Sequence, residues 1–309
     1  MNEDVIEVIV KKALEYADHI CTFAFQGGEP TLSGLDYYKR LIELEKKHNI
    51  KKIRINNTIQ TNGIAINEKW ARFLAENSFL VGISIDGPKD IHDNNRIDMK
   101  NDGSFNRVMN TVALFNKYKV EYNILSVVTE NMARHASKVY SLFKKKKFRY
   151  LQFIPCLDPL NEQRGVNEYS LSPERYASFL KQLFDHWYED VMKGNMISIR
   201  YFDNLVWMFM GNRAEACGMM GECQCQFVIE ADGGVYPCDF YVYDEWLLGN
   251  IKDTGFDELK NSDKSIHFIN ASKHVDSVCK ECKWSYLCRG GCRRDRETCV
   301  DNRLGVNQT

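Results

Sequence analysis

Apolar residues recur along this chain in two rhythms that alternate. Val5, Ile6, Ile9, Val10, Ala13, Leu14 and Ala17 fall three and four apart, which predicts an amphipathic helix over residues 4–17. Residues 21–25 form a short apolar run, read as a buried strand ending in Gln26-Gly27-Gly28-Glu29-Pro30. The alternation then repeats. Leu35, Tyr38, Leu41 and Ile42 suit a helix, residues 53–61 a strand ending in Asn62-Gly63, and Asn67 caps a helix carrying Trp70, Phe73 and Leu74. A strand over 79–85 closes in Ser84-Ile85-Asp86-Gly87-Pro88. Helix 104–117, strand 122–128, helix 131–143 and strand 149–155 follow.

Five strands thus alternate with helices, and their carboxyl ends run into polar or glycine-containing turns. This is the β/α-barrel plan, with chemistry on the loops at the strand ends; a doubly wound open sheet has the same local pattern. Past Cys156 the rhythm changes. Residues 161–170 are a polar connection, and Ser172-Pro173 starts a helix lined by Tyr176, Phe179, Leu180, Leu183, Phe184, Trp187 and Val191. A helix over 204–210 is expected to bury Trp207, Met208 and Met210 in the core. From Cys217 the elements are short, beginning with a hairpin of 227–230 and 235–236 that turns at Asp232-Gly233. The change of rhythm places a domain boundary near residue 200, giving units 1–200 and 201–309.

Composition narrows the classes. Of 309 residues 44% are hydrophobic and 27% charged, and the net charge is −1, so no broad basic surface exists for nucleic acid or an anionic membrane. Four lysines at 144–147 close a helical pattern, where they suit the helix dipole. No apolar run approaches the roughly 18 residues of a membrane span, and the first residues lack the plan of a signal peptide. A cytoplasmic protein is expected. In a reducing compartment clustered cysteines are metal ligands more often than disulfides.

Nine of the eleven cysteines fall between Cys217 and Cys299. The densest run is Cys279-x2-Cys282-x5-Cys288-x3-Cys292, a spacing that suits either zinc or an iron–sulfur cluster. Cys217, Cys223, Cys225 and Cys238 form a looser group. The paired glycines beside Glu29 can admit a ligand amine or simply turn the chain. His19, His48, His92 and His135 stand alone and read as surface or core residues.

The wider pattern, Cys223-x9-Gly233-x4-Cys238 followed by the Cys279 run, resembles the SPASM extension of radical S-adenosylmethionine (SAM) enzymes. The resemblance extends to the anaerobic sulfatase-maturating enzymes. It rests on Phe25-Gln-Gly-Gly-Glu-Pro30, Gln60-Thr-Asn-Gly63, Ser84-Ile-Asp-Gly-Pro88, Arg96, Leu151-Gln-Phe153, Cys156-Leu-Asp-Pro159, Ile199-Arg-Tyr-Phe-Asp203, Cys217-Gly-Met, Cys223-x-Cys225-Gln-Phe227 and Tyr236-Pro-Cys-Asp-Phe240. It implies a radical SAM oxidoreductase that converts a Cys or Ser of a sulfatase polypeptide, in a Cys/Ser-x-Pro-x-Arg context, to Cα-formylglycine. Gly27, Gly28 and Glu29 would hold the SAM amino group, Ser84 its ribose and Arg96 its carboxylate, with Leu157 near its adenine. Gln26 would place substrate, and Asp239 would be the base. Cys217, Cys223, Cys238 and Cys292 would ligate one auxiliary [4Fe–4S] cluster; Cys279, Cys282 and Cys288 would supply three ligands of a second. Cys225 would pack. An electron carrier such as flavodoxin or ferredoxin would be a partner.

The fold implied is a partial (β/α)6 TIM-like radical SAM barrel lacking its first strand, followed by a small cysteine-rich α+β SPASM domain. The family holds its SAM cluster with Cys-x3-Cys-x2-Cys, a motif residues 1–309 do not contain. The second auxiliary cluster lacks a fourth ligand, for which Cys299 is a loose substitute. An inactive fragment, clipped at both ends, is therefore expected. Two other readings stay open: a SPASM maturase of a different peptide, and a non-catalytic protein with zinc on four cysteines.

Overall fold

A computed structural model describes residues 1, 3–160 and 162–296. Helix α1 (Glu3–Tyr16) precedes β1 (Ile20–Phe25), α2 (Leu35–His48), β2 (Arg54–Thr61), α3 (Glu68–Glu76) and β3 (Leu80–Ser84). Then come α4 (Lys89–Asn95), α5 (Phe105–Tyr118), β4 (Glu121–Val128), α6 (Glu130–Ala133), α7 (Ala136–Lys145) and β5 (Tyr150–Pro155). The long α8 (Pro173–Met192) leads to β6 (Ser198–Ile199) and α9 (Arg200–Phe209). The strands make one parallel sheet in the order β1-β2-β3-β4-β5-β6. Parallel pairing puts every carboxyl end on one rim, so Gln26, Asn62, Ile85, Thr129 and Cys156 all follow strands at that rim.

Local chemistry explains several helix starts. Asn67 Oδ1 accepts from the amides of Lys69 and Trp70, Thr129 Oγ1 from Met132, and Ser172 Oγ from Arg175, each satisfying donors a helix start leaves unpaired. Three expectations need correction. The helix expected over 131–143 is two, α6 and α7, broken at Arg134 and His135. A sixth strand, β6, pairs with β5 through only Tyr150↔Ser198 and Leu151↔Ile199, too short to leave a periodic signal. In α9, Met208 is buried, but Trp207 is 51% exposed and Met210, just after the helix, 69%, because the helix is apolar on both faces and only one meets the core.

The smaller lobe contains the antiparallel sheet β7 (Val228–Ile229), β8 (Gly234–Tyr236) and β9 (Gly249–Asn250). Short helices α10 (Phe256–Lys260), α11 (Asp263–Ser272), α12 (Ser277–Glu281), α13 (Ser285–Cys288) and α14 (Arg293–Arg296) complete it. The core crosses residue 200 without a break: Val235, Ile251, Phe256 and Leu259 belong to the same buried cluster as the barrel helices. Helix α1 joins the two lobes. Lys12 Nζ donates to Ile251 O at 2.6 Å, and the Tyr16 ring packs on Phe227 and Phe256 at 6.0 and 5.6 Å. Among the described residues no helix is long and apolar enough to cross a membrane. Cys299 lies outside the described residues.

One buried polar contact separates α2 from the sheet. Glu45, 6% exposed, accepts from Asn57 Nδ2 at 3.2 Å, while among the described residues Glu45 Oε1 and Asn57 Oδ1 have no hydrogen-bond partner. Burial pushes the Glu45 carboxyl from 4.5 up to about 7, against weaker downward pulls from Asn57 and Lys46. A raised carboxyl pKa means the folded state holds the proton more tightly, so stability is full below 4.5 and falls as pH rises to about 7. Glu45→Gln is expected to stabilise by about 2 kcal/mol at about pH 8 and to have little effect near pH 4. Urea unfolding at the two pH values measures this, and equal effects at both would refute the assignment.

Candidate active site

The rim of the sheet begins with the loop after β1. Gly27 and Gly28 have φ of +84° and +48°, and no described atom lies within 4 Å of where a Cβ would stand on either. Both conformations are ones glycine adopts freely, and the space above the backbone is open. Glu29 fixes this loop. Its Oε1 accepts from Thr31 N at 3.0 Å and Thr61 Oγ1 at 2.8 Å, and its Oε2 from Asn62 N at 2.8 Å. The carboxylate therefore ties the loop after β1 to the end of β2, and aims the Gly27–Gly28 backbone at the open space.

The end of β3 holds a second arrangement. Arg96 Nε and Nη2 donate to the two carboxylate oxygens of Asp86, at 2.5 and 3.3 Å, a forked geometry that fixes the guanidinium plane. Asp86 is 2% exposed and also accepts from Val127 N at 2.9 Å, so β4 braces it. His92, fully buried, lies behind: its Nδ1 accepts from Asp86 N at 3.2 Å and its Nε2 pairs with Ser104 Oγ at 3.0 Å. Burial pushes the His92 imidazole down to about 4, so it stays neutral near pH 7. In the sequence Asp86 carries no role within its motif, and His92 stands alone. The signal available was the acid ten residues before Arg96. Ser84 is half-buried at the end of β3.

Leu157 follows Cys156, whose thiol interacts electrostatically with Asp86, the carboxylate that holds Arg96. Leu157 lines a cavity of about 450 Å³ at the end of β5, with Glu130, Cys156, Tyr176 and Arg294, which Gly27, Gly28, Ser84 and Arg96 do not line. Arg294 donates to Asp158 O, and Arg164 Nη2 to Arg294 O at 3.1 Å, so α14 is tied back to this loop.

The two lobes meet over the rim. Gln26 Nε2 donates to Asp239 Oδ2 at 3.2 Å, a contact between residues 213 positions apart, and both side chains are exposed. The neighbouring Cys238 thiol donates to Asp239 Oδ1 at 3.3 Å.

Behind Asp239 the thiols form a set. Cys292 interacts electrostatically with Cys223, Cys217 and Cys238, and Cys223 with Cys217. Asn204, 3% exposed, accepts from the amides of Glu215 and Ala216 at 2.7 and 2.9 Å and so places Cys217. Burial pushes all four thiols up, Cys292 to about 12, so a cationic group is needed to make them thiolates near neutral pH. Among the described residues no three His, Cys, Asp or Glu side chains converge on one metal position. Four such thiols can hold a single zinc or an iron–sulfur cluster. Cys292 thus groups with three thiols distant from it in the sequence. Cys279, Cys282 and Cys288 lie along α12 and α13. Cys225 faces Ser265 and the Phe227 backbone.

Comparison with known proteins adds a second kind of observation. Residues 1–136 match the radical SAM superfamily, and residues 217–283 match SPASM, an iron–sulfur cluster-binding domain. The chain is 54% identical over 307 residues to a cysteine-type anaerobic sulfatase-maturating enzyme of Clostridium perfringens, covering 99% of this chain and 83% of that one. A serine-type anaerobic sulfatase-maturating enzyme of Bacteroides thetaiotaomicron is 33% identical over 302 residues, covering 92% and 72%. A solved structure described as native anSMEcpe with bound AdoMet and Kp18Cys peptide superposes with a TM-score of 0.98 at 54% identity, over 100% of this chain and 85% of that one.

Proposed function

The chain belongs to the anaerobic sulfatase-maturating enzymes, radical SAM proteins with a SPASM domain, and from that membership we propose that it oxidises one cysteine of a sulfatase polypeptide to Cα-formylglycine. Cysteine is preferred to serine because the cysteine-type relative is 54% identical and the serine-type relative 33%. The contact between Gln26 and Asp239 carries the reading, because it sets a hydrogen-bonding group and a carboxylate side by side between the glycine loop and the four thiols.

The two lobes, 1–200 and 201–309, divide the work. In the first, the Gly27–Gly28 backbone takes the SAM amine, Ser84 the ribose and Arg96 the carboxylate, with Leu157 beside the adenine. In the second, Cys217, Cys223, Cys238 and Cys292 hold one auxiliary cluster, and Cys279, Cys282 and Cys288 hold part of another. SAM and the clusters, when bound, supply a radical that removes a Cβ hydrogen and a sink for the electron left behind. The protein's part is the proton. Asp239 takes it from the substrate thiol as the C–S bond becomes a thioaldehyde, which water converts to the aldehyde and hydrogen sulfide. Gln26 orients that carboxylate and the peptide.

The full-length holoenzyme, reduced and anaerobic, is expected to convert a Cys-x-Pro-x-Arg peptide to its aldehyde, read by mass spectrometry and hydrazide capture. An unchanged peptide alongside steady 5′-deoxyadenosine formation would end this reading.

A further inference from the structure

Two arginines of α14 are buried beside the four-thiol set. Arg296 is 1% exposed; its Nη2 donates to Ser272 O at 2.7 Å, its Nη1 to His274 O, and its Nε to Cys292 O at 3.5 Å. Arg293, 6% exposed, lies 4.9 Å from each of the ring centroids of Tyr241, Trp246 and Phe268. Withdrawing the Arg296 guanidinium from water is costly, and carbonyl dipoles offset only part of that cost, since none carries a full negative charge.

Arg296 is tied to the thiol set through backbone and hydroxyl contacts. Ser272 links them: its carbonyl accepts from Arg296, and its hydroxyl accepts from Cys223 N at 2.8 Å. Cys292, whose carbonyl Arg296 also reaches, is a second member. Arg293 directly follows Cys292 in the chain.

We propose that Arg296, together with Arg293, is the fixed counter-charge of the iron–sulfur cluster held by Cys217, Cys223, Cys238 and Cys292, and raises its reduction potential. The inference rests on the assignment of those four thiols as ligands. Reduction adds a negative charge, and a permanent cation a short distance away in a low-dielectric interior stabilises the reduced state. Arginine suits the task because it does not lose its proton in a protein. The competing account is structural: Arg296 caps the last carbonyls of α11, a favourable place for any cation.

Redox titration of the anaerobically reconstituted full-length holoenzyme, followed by electron paramagnetic resonance, separates the two accounts. Arg296→Gln is expected to move the midpoint of one cluster negative by at least tenfold in the one-electron equilibrium, ~59 mV. Arg296→Lys, which keeps the charge and loses the forked contacts, is expected to move it by less. Arg293→Met should fill the ring cage with an apolar side chain of similar length, fold where Arg296→Gln does not, and also shift the midpoint negative. Unchanged midpoints in Arg296→Gln or, where that variant does not fold, in Arg293→Met would overturn the proposal, as would equal loss of Tm in Arg296→Gln and Arg296→Lys without any redox shift. Iron content unaffected by Cys223→Ser would instead overturn the ligand assignment, and this inference with it.

Discussion

Asp239→Asn is expected to slow peptide oxidation by about 10²–10⁴-fold, the usual effect of removing a positioned base. The substitution keeps a side chain of the same shape, so Gln26 retains a hydrogen-bond partner at the position it now reaches across 3.2 Å. What disappears is the capacity to take a proton. 5′-Deoxyadenosine should still form, because Asp239 belongs to the smaller lobe and the glycine loop and Arg96 to the other. The decisive measurement is the ratio of 5′-deoxyadenosine to aldehyde product, which should rise sharply in the variant. A variant that loses both products together would place Asp239 in SAM binding, and one that keeps both would leave it a turn residue at the start of a short 3-10 helix (Asp239–Tyr241).

Cys292→Ser should cost the protein about four irons per chain and all peptide oxidation, whereas Cys225→Ser should cost neither. The two thiols differ in what surrounds them. Cys292 interacts with Cys223 and Cys217, and Cys238 with it, while Cys225 faces the Ser265 hydroxyl and the Phe227 backbone. Removing one thiolate from a four-thiolate cube leaves an iron without its ligand, and removing a packed thiol leaves only a small repacking cost. Iron and sulfide counts on anaerobically reconstituted protein separate the two. Equal iron in wild type and Cys292→Ser would show that the four thiols are not a ligand set, and zinc in place of iron would favour a structural metal.

The alternation of strands and helices was legible because burial writes itself locally. Val5, Ile6, Ile9, Val10 and Leu14 face the core at helical spacing, and each is buried. The hairpin at Asp232-Gly233 was equally legible, since glycine at φ +97° meets a requirement of the turn itself. The family motifs and cysteine spacings pointed to SAM and iron–sulfur chemistry before any fold was visible.

The exceptions share a cause. Strand β6 exists because Tyr150 and Leu151 offer it a partner, and two residues carry no period of their own. Both faces of α9 are apolar, so composition could not say that Met208 would be covered and Trp207 would not.

Taken alone, the order of residues determined the β/α plan, the cysteine-rich second lobe and the chemistry those thiols invite. The three-dimensional path decided which side chains touch: Gln26 with Asp239, and Arg96 with Asp86. The reason is range. Propensity and hydrophobic period act between residues a few positions apart, whereas a hydrogen bond or a charge interaction is set by distance through space, which only the folded chain defines.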